Sequence, residues 1–177
     1  MLDIILILVA IAVITFIIVA AMQPSDFRIT RKCTINAPAS AVFAQVNDLH
    51  KWDTWSPWAK LDPEAKNSFE GPESGVGAIM RWVGNSKVGQ GSMTIMESRP
   101  DEFIGFKLEF LKPLKATNTS EFTFTNENDQ TTVTWSMYGT NNFMGKAIGL
   151  IMSCEKMVGG QFEKGLAALK SLVESGN

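Results

Sequence analysis

A run of nineteen residues near the start of the chain, residues 4–22, has no charged side chain and a single polar one, Thr15. As a helix rising about 1.5 Å per residue, this run is roughly 28 Å long, close to the ~30 Å hydrocarbon core of a bilayer. The 155 residues that follow have the composition of an ordinary soluble domain. The sequence therefore predicts a transmembrane anchor over residues 1–24 and one domain over residues 25–177.

Two alternatives to a retained anchor stay open. A secretory signal has a basic segment followed by about 7–15 apolar residues, whereas the first three residues here carry no Lys or Arg and the apolar run is longer. The V-A-A tripeptide at 19–21 would serve only as a weak cleavage site. A buried core helix normally shows a polar stripe, and this run is apolar all round.

Charge predicts the orientation of the domain and gives no indication of two classes of partner. Arg28, Arg31 and Lys32 follow the apolar run and no basic residue precedes it, so the domain is expected to face the cytoplasm. The same three residues also fall in the first predicted strand, where the fold itself could require them. Without Asp3, the chain has 16 basic and 17 acidic side chains. This balance points neither to nucleic acid nor to an anionic lipid surface as a partner.

The two cysteines and the single histidine leave little room for metal or redox chemistry. Cys33 and Cys154 are too few and too far apart for a metal cluster or a C-x-x-C motif. We interpret both as buried thiols, with one disulfide as the alternative. We expect no metal and no cofactor.

The domain begins with a strand and a short helix and continues with strands. Pattern and turn signals predict strands at 27–36, 66–70, 78–84, 88–98, 102–110, 115–126 and 130–139, a helix ending near Asp48, and a long helix over 155–174. Between Leu49 and Pro63 lies a loop rich in Trp and Pro. This order of elements is that of an α+β domain.

Alternation within the strands separates an inner from an outer face, because residues two apart point the same way. The inward set is apolar: Met80, Trp82, Met93, Ile95, Ile104, Phe106, Leu108, Phe110, Phe122, Phe124, Val133, Trp135 and Met137. The outward positions are mostly Thr, Ser, Lys and Glu, which is typical of an antiparallel sheet with one solvated face. The apolar stripe of the C-terminal helix, which includes Val158, Phe162 and Leu166, is predicted to cover the inner face.

Five segments carry a resemblance to a known family: I-N-A-P-A-S-A-V-F at 35–43, D-L-H-K-W-D-T-W-S-P-W at 48–58, G-V-G-A at 75–78, T-T-V-T-W-S-M-Y-G at 131–139 and F-E-K-G-L-A-A-L-K at 162–170. From Phe27 to Glu174 the chain resembles the START-related and polyketide cyclase/dehydrase superfamily, abbreviated SRPBCC. The resemblance implies a helix-grip fold, in which a curved antiparallel sheet of about seven strands wraps around the C-terminal helix. It also implies a deep cavity between sheet and helix, but no shared catalytic positions.

The inward side chains and the Trp-rich loop supply the candidate ligand pocket. Its predicted members are Trp55, Trp58, Trp82, Met93, Phe106, Leu108, Phe122, Trp135 and Met137. Trp52, Trp55 and Trp58 lie within seven residues of one another and could form either a pocket mouth or core packing behind the first helix. Methionines suit a cavity that accepts varied shapes, and they are equally ordinary core filler.

Two residues are weak candidates for proton transfer. His50 would need an orienting partner, for which Asp53 is the nearest carboxylate downstream, and a surface or structural role is the alternative. Glu97 shares parity with Met93 and Ile95 and could reach the cavity rim, or it could lie in water beside Arg99. The sequence has no G-x-S-x-G motif for a serine nucleophile.

The leading functional hypothesis is a single-pass membrane protein that binds a hydrophobic small molecule or lipid in its cavity. The first alternative is a polyketide cyclase or dehydratase using Glu97 or His50. The second is a protein-interaction domain whose cavity is closed by its own Trp and Met side chains.

Overall fold

Seven antiparallel strands form one continuous sheet in the computed structural model, which describes residues 1–176. The strands are β1 Asp26–Ile35, β2 Lys66–Glu70, β3 Ile79–Val83, β4 Gln90–Arg99, β5 Phe103–Lys112, β6 Ala116–Glu127 and β7 Gln130–Thr140. Their order across the sheet is β1-β7-β6-β5-β4-β3-β2, so β1 pairs with β7 and β2 lies at the opposite edge. Each strand ends within two residues of its predicted bounds.

Six α-helices accompany the sheet: α1 Leu2–Met22, α2 Ala39–Val46, α3 Trp52–Trp55, α4 Pro57–Leu61, α5 Phe143–Ile151 and α6 Cys154–Glu174. The predicted α+β helix-grip fold is confirmed, with α6 as its long C-terminal helix. The sequence reading missed α3 and α4, which it placed in the Trp-rich loop, and α5. Proline at the first position of α4 suits a helix start, because its missing N–H needs no partner there.

The first helix is apolar over its whole circumference. Its 18-residue window has a mean hydropathy of 3.4, and it is long and apolar enough to cross a membrane, a property it shares with secretory signals. Its side chains are exposed along most of its length, and Ala20 is fully buried. Within residues 1–176, the helix therefore packs against the rest of the protein mainly near its C-terminal end, where it meets α5.

Alternation along the strands produces the core as the sequence predicts. Ile95, Ile104, Phe122 and Val133 point inward and are almost completely buried. The pairing of β4 with β5 has two register shifts, and at the second of them Ile95 pairs with Phe106 but Glu97 pairs with the adjacent Gly105. The extra residue makes a β-bulge, and everything beyond it on β4 changes face.

Charged contacts fasten the first half of α6 to β1. The Arg31 guanidinium donates to Glu155 through Nη2 at 2.7 Å and to Glu163 through Nε at 2.5 Å. The hydrogen bond to Glu155 has the larger effect and that to Glu163 the smaller, and together they raise the pKa of Arg31 above its ordinary value. Gly159 lies directly under the guanidinium, since a Cβ there would overlap it. Toward the other end of α6, the Glu174 carboxylate accepts from the Asn36 backbone N–H at 2.7 Å.

The cysteines differ from the prediction. Both are free thiols, Cys33 is only half-buried, and Cys154 is exposed at the start of α6. The expectation of two buried thiols was therefore wrong for Cys154, which lies in the first turn of α6, where residues 154–157 are all exposed. Partial burial raises the pKa of the Cys33 thiol.

Gly165 is the point where α6 approaches the Trp135 indole and Pro57. A Cβ there would lie 2.8 Å from the Trp135 ring and 3.0 Å from Pro57. Both neighbours are rigid and buried, so we expect Gly165→Ala to lower the free energy of unfolding by about 1–3 kcal/mol. Urea unfolding of the detergent-solubilised full chain, followed by circular dichroism, measures the change.

Gly160→Ala is the matched control, because it lies in the same helix with no atom within 4 Å of its Cβ position. Helix propensity alone should make this variant more stable than the wild type by up to about 1 kcal/mol. Equal effects of the two substitutions would contradict the tight packing of α6 on Trp135.

Candidate functional site

Two indoles of the Trp-rich loop complete the C-terminal end of α2. The Trp52 Nε1–H donates to the Val46 carbonyl at 2.9 Å, and the Trp55 Nε1–H donates to the Gln45 carbonyl at 3.3 Å. Carbonyls in the last turn of a helix have no partner within the helix, so these bonds satisfy them. Both indoles are buried in the core, which fixes α3 and α4 beside the inner face of the sheet.

A cavity of about 410 Å³ lies between the inner face of the sheet, the α3–α4 segment and α6. Its wall is formed by Trp52, Asp53, Ser56, Trp58, Ala59, Asp62, Pro63, Ala65, Asn67, Met80, Trp82, Val88, Met93, Leu108, Phe110, Ser120, Trp135, Met137, Val158 and Phe162. The volume falls within the ~300–1,000 Å³ of small-molecule sites. The closed cavity that the protein-interaction hypothesis requires is therefore not present.

The closed end of the cavity is built around Trp135. Its ring stacks on Phe162 of α6 with centroids 4.0 Å apart and planes within 8°, and it stacks on Phe122 of the sheet at 4.8 Å. Its Nε1–H donates to the Ser120 hydroxyl at 3.0 Å, which in turn donates to the Ser136 carbonyl at 3.1 Å. Every polar atom of this cluster has a partner, so the indole is held in one orientation.

The opposite end of the wall is formed by half-exposed apolar side chains. Trp82 lies across Gly91 on the neighbouring strand, where a Cβ would come within 2.5 Å of its ring. It meets Phe110 edge to face with centroids 5.9 Å apart. Val88 and Val158 extend this part of the wall from the β3–β4 turn and from α6. The cavity thus runs from a half-exposed apolar end to the buried Trp135.

Polar groups occupy one side of the cavity, where α3 and α4 face the start of β2. Asp53 is exposed and accepts from the Asn67 side-chain amide at 2.9 Å. Asp62 is buried, and its carboxylate accepts from the backbone N–H groups of Asn85 at 2.6 Å and Glu64 at 3.3 Å. Asp62 therefore shapes the local backbone, while Asp53 remains accessible to a molecule in the cavity.

His50 and Glu97 lie outside the cavity wall. His50 stacks on Phe69 with centroids 4.0 Å apart, and its Nδ1 lies 3.2 Å from Asp48 Oδ1. Its carboxylate partner is Asp48 rather than the expected Asp53, because Asp48 precedes the turn of 3₁₀-helix over Leu49–Lys51 and caps it. Glu97 is exposed and accepts from Arg99 at 2.6 Å, since the bulge in β4 moves it off the inner face.

Six of the nine predicted pocket residues line the cavity: Trp58, Trp82, Met93, Leu108, Trp135 and Met137. Trp55, Phe106 and Phe122 are buried behind the wall. Of the residues that the prediction missed, Met80, Phe110 and Phe162 have the inward or helical spacing that could have identified them. Trp52, Asp53, Asp62 and Asn67 depend on the α3–α4 geometry, for which the sequence offered no periodic signal.

Comparison with known families gives one match that spans most of the chain. The family model described as polyketide cyclase / dehydrase and lipid transport matches residues 26–174. No curated protein matches the chain in sequence at a significant level.

Several solved structures share the fold. Protein CV1439 from Chromobacterium violaceum is 16% identical with a TM-score of 0.59, over 86% of this chain and 99% of that chain. The Aha1 dimer from Colwellia psychrerythraea is 13% identical with a TM-score of 0.58, over 85% and 98%. BexL, a di-domain ARO/CYC from the BE-7585A biosynthetic pathway, is 19% identical with a TM-score of 0.62, over 88% and 52%. At these identities, the likeness shows the fold alone.

The hydroxyl of Ser120 is predicted to hold the Trp135 indole at the closed end of the cavity. Ser120→Ala leaves the buried indole N–H without its acceptor, which we expect to lower the free energy of unfolding by about 1–3 kcal/mol. We also expect the near-ultraviolet circular dichroism of the tryptophans to weaken. Ser171→Ala, on the exposed side of α6, should change stability by less than about 0.5 kcal/mol. Equal stability of the two variants would contradict the assignment.

Proposed function

The chain belongs to the polyketide cyclase / dehydrase and lipid transport family, and from this premise we propose that it binds a hydrophobic small molecule or lipid in its cavity while residues 4–22 anchor it in a membrane. In this proposal, residues 1–24 form the anchor and residues 25–177 form the binding domain, facing the cytoplasm. The observation that carries the proposal is the apolar cavity between the sheet and α6.

The chemistry of the wall supports a ligand that is mostly apolar. From Trp82 and Phe110 at the half-exposed end to Trp135 at the closed end, the cavity is bounded by aromatic, Met, Leu and Val side chains. Burial of an acyl chain gains about 0.8 kcal/mol per CH₂ group, so about ten buried methylenes correspond to the ~8 kcal/mol of micromolar binding before the cost of association is subtracted. The charged groups and the side-chain amide of the wall lie on one side, where Asp53 and Asn67 would contact a polar end of the ligand.

Native mass spectrometry of the full chain, released from detergent micelles, tests the proposal. We expect the wild type to retain a co-purified hydrophobic molecule as a mass adduct. The double variant Leu108→Trp, Met80→Trp places two indoles in the cavity wall and is expected to lose that adduct, because the ligand and the new rings compete for one volume.

The control introduces the same two indoles outside the cavity. Val76→Trp, Met96→Trp changes one exposed Val and one exposed Met, neither of which lines the cavity, and should keep the adduct. Lipid held by α1 would remain in both double variants, so it cannot be mistaken for a cavity ligand. Absence of any adduct from the wild type, or equal adducts in both variants, would count against the binding function.

Enzymatic cyclisation is the second candidate, favoured by the accessible carboxylate of Asp53 in the cavity wall. In this reading, Asp53 moves a proton from a polyketide-like substrate that the apolar wall holds in a folded conformation. With a linear poly-β-ketone thioester as probe, Asp53→Asn should lower turnover by about 10²–10⁴-fold, the usual contribution of a general acid or base.

The weaker sequence candidates serve as controls for this assignment. Glu97→Gln and His50→Ala should leave turnover of the same thioester unchanged, because both side chains lie outside the cavity wall. Loss of turnover in either of them, with Asp53→Asn active, would reverse the assignment. No turnover by the wild type would leave binding as the function.

A further inference from the structure

We propose that the end of the domain nearest α1 is a membrane-docking face, in which α5 and the β5–β6 turn lie in the interface of an anionic bilayer. This inference rests on the anchoring part of the proposed function and adds a second, independent contact with the same membrane. Four observations carry it: the register of the sheet, the depth of α5 beside α1, the exposed apolar side chains and the distribution of charge.

The register places several chain segments at one end of the sheet, here called the anchor end. Asp26 at the start of β1 pairs with Thr140 at the end of β7. Phe110 pairs with Ala116, which closes the turn between β5 and β6, and Val83 pairs with Gln90, which closes the turn between β3 and β4. The departure of α1, the start of α5 and both turns therefore lie at the anchor end.

The position of α5 beside α1 sets its depth. Along α1, exposure falls from 63% at Ile4 to 40% at Phe16 and Val19 and to zero at Ala20, and α5 is the helix that packs there. Phe16 precedes the end of the apolar run by six residues, or about 9 Å along the helix axis. If α1 spans a bilayer, α5 lies at the depth of an interfacial helix, which is about 5–10 Å into the headgroup and acyl boundary.

The surface at this depth is apolar. Within residues 1–176, the exposed large apolar side chains of the folded domain gather mainly at the anchor end: Val83, Leu111, Leu114, Phe143, Met144, Leu150, Ile151, Met152 and Met157. Lys146 is the one charged residue of α5. An exposed apolar patch next to a membrane-spanning helix is continuous with the lipid-facing surface of that helix.

Charge divides between the two ends of the domain. Lys87, Lys112, Lys115, Lys146 and Lys156 flank the apolar patch, and among the described residues none of them has a carboxylate within 4.0 Å. The opposite end of the domain carries five carboxylates: Glu97, Asp101, Glu102, Glu127 and Asp129. Arg99 forms ion pairs with two of them, Glu97 and Glu102. A basic end with exposed apolar residues fits an anionic lipid surface, and the acidic end faces away from it.

The docking face also borders the half-exposed end of the cavity. In β5, Phe110 lines the cavity and the next residue, Leu111, is exposed. In α6, Val158 lines the cavity and the preceding residue, Met157, is exposed. A hydrophobic ligand would therefore pass from lipid to cavity with little exposure to water.

Fluorescence quenching of the full chain in vesicles tests the face. Single-cysteine variants Leu114→Cys, Met144→Cys and Asp129→Cys, made in a Cys33→Ala, Cys154→Ser background, carry an environment-sensitive dye. The vesicles contain phosphatidylglycerol and brominated phosphatidylcholine as quencher. We expect several-fold greater loss of fluorescence at positions 114 and 144 than at position 129, which lies in the β6–β7 turn at the acidic end.

The basic residues are tested in the Leu114→Cys chain. Lys112→Glu with Lys115→Glu should reduce quenching by brominated lipid several-fold, whereas Glu102→Lys with Glu127→Lys at the other end should not. Equal quenching at positions 114, 144 and 129 would overturn the docking face. So would shielding of position 144 from both iodide and brominated lipid, because that result assigns the patch to a second copy or another protein.

Alkaline carbonate extraction separates the two proposals. A chain that carbonate removes from membranes has no spanning anchor, and the anchoring part of the proposed function fails together with the docking face. A chain that resists extraction but shows unquenched labels at positions 114 and 144 keeps its anchor and loses only the docking face.

Discussion

The contact between Trp135 and α6 is the constraint on which the rest of the domain depends. Trp135 stacks on Phe162, lies under Gly165 and shares its face of the sheet with Phe122. Because Gly165 has no side chain, the helix approaches the indole closely, and the two ring stacks fix its rotation. The Ser120 hydroxyl satisfies the indole N–H, so this large aromatic cluster is buried without an unpaired donor.

The contact with Trp135 fixes the position of α6, and this position leaves room for the cavity. α6 packs mainly against β1, with the Arg31 ion pairs fastening its first half, so it covers one side of the curved sheet. The inner side chains of β3 and of the second half of β5 are left without a helix directly above them, and α3 and α4 cover them only at a distance. The same residues that alternation assigns to a core therefore form a wall in this part of the domain.

Strand positions and most inward residues could be predicted from the sequence because each depends on a period of two within one short segment. For Glu97 the sequence left two positions open, the cavity rim or water beside Arg99, because the bulge that decides between them inserts one residue, Met96, and leaves the local composition unchanged. The roles of Trp52 and Trp55 depend on carbonyls at the end of α2, which only the folded chain brings within reach. Asp53 and Asp62 reach the cavity through α3 and α4, helices too short to show a hydrophobic period. The short helix α5 was missed because the residues it exposes are as apolar as those it packs against α1, so the sequence does not distinguish a buried face from an exposed one.

The net charge of the sequence does not show the uneven distribution of charged side chains between the two ends of the domain. Sixteen basic and seventeen acidic side chains outside the first three residues nearly cancel in the sequence. Within residues 1–176, however, the fold places five lysines without a carboxylate partner around the anchor end, and the other end carries Glu97, Asp101, Glu102, Glu127 and Asp129. Arg28 and Arg31 pair with Glu121, Glu155 and Glu163, so the fold already explains two of the three basic residues that follow α1. Among residues 1–176, Lys87, Lys112, Lys115, Lys146 and Lys156 have no such partners, and under the proposed anchoring the anionic, cytoplasmic leaflet is the one that would attract them.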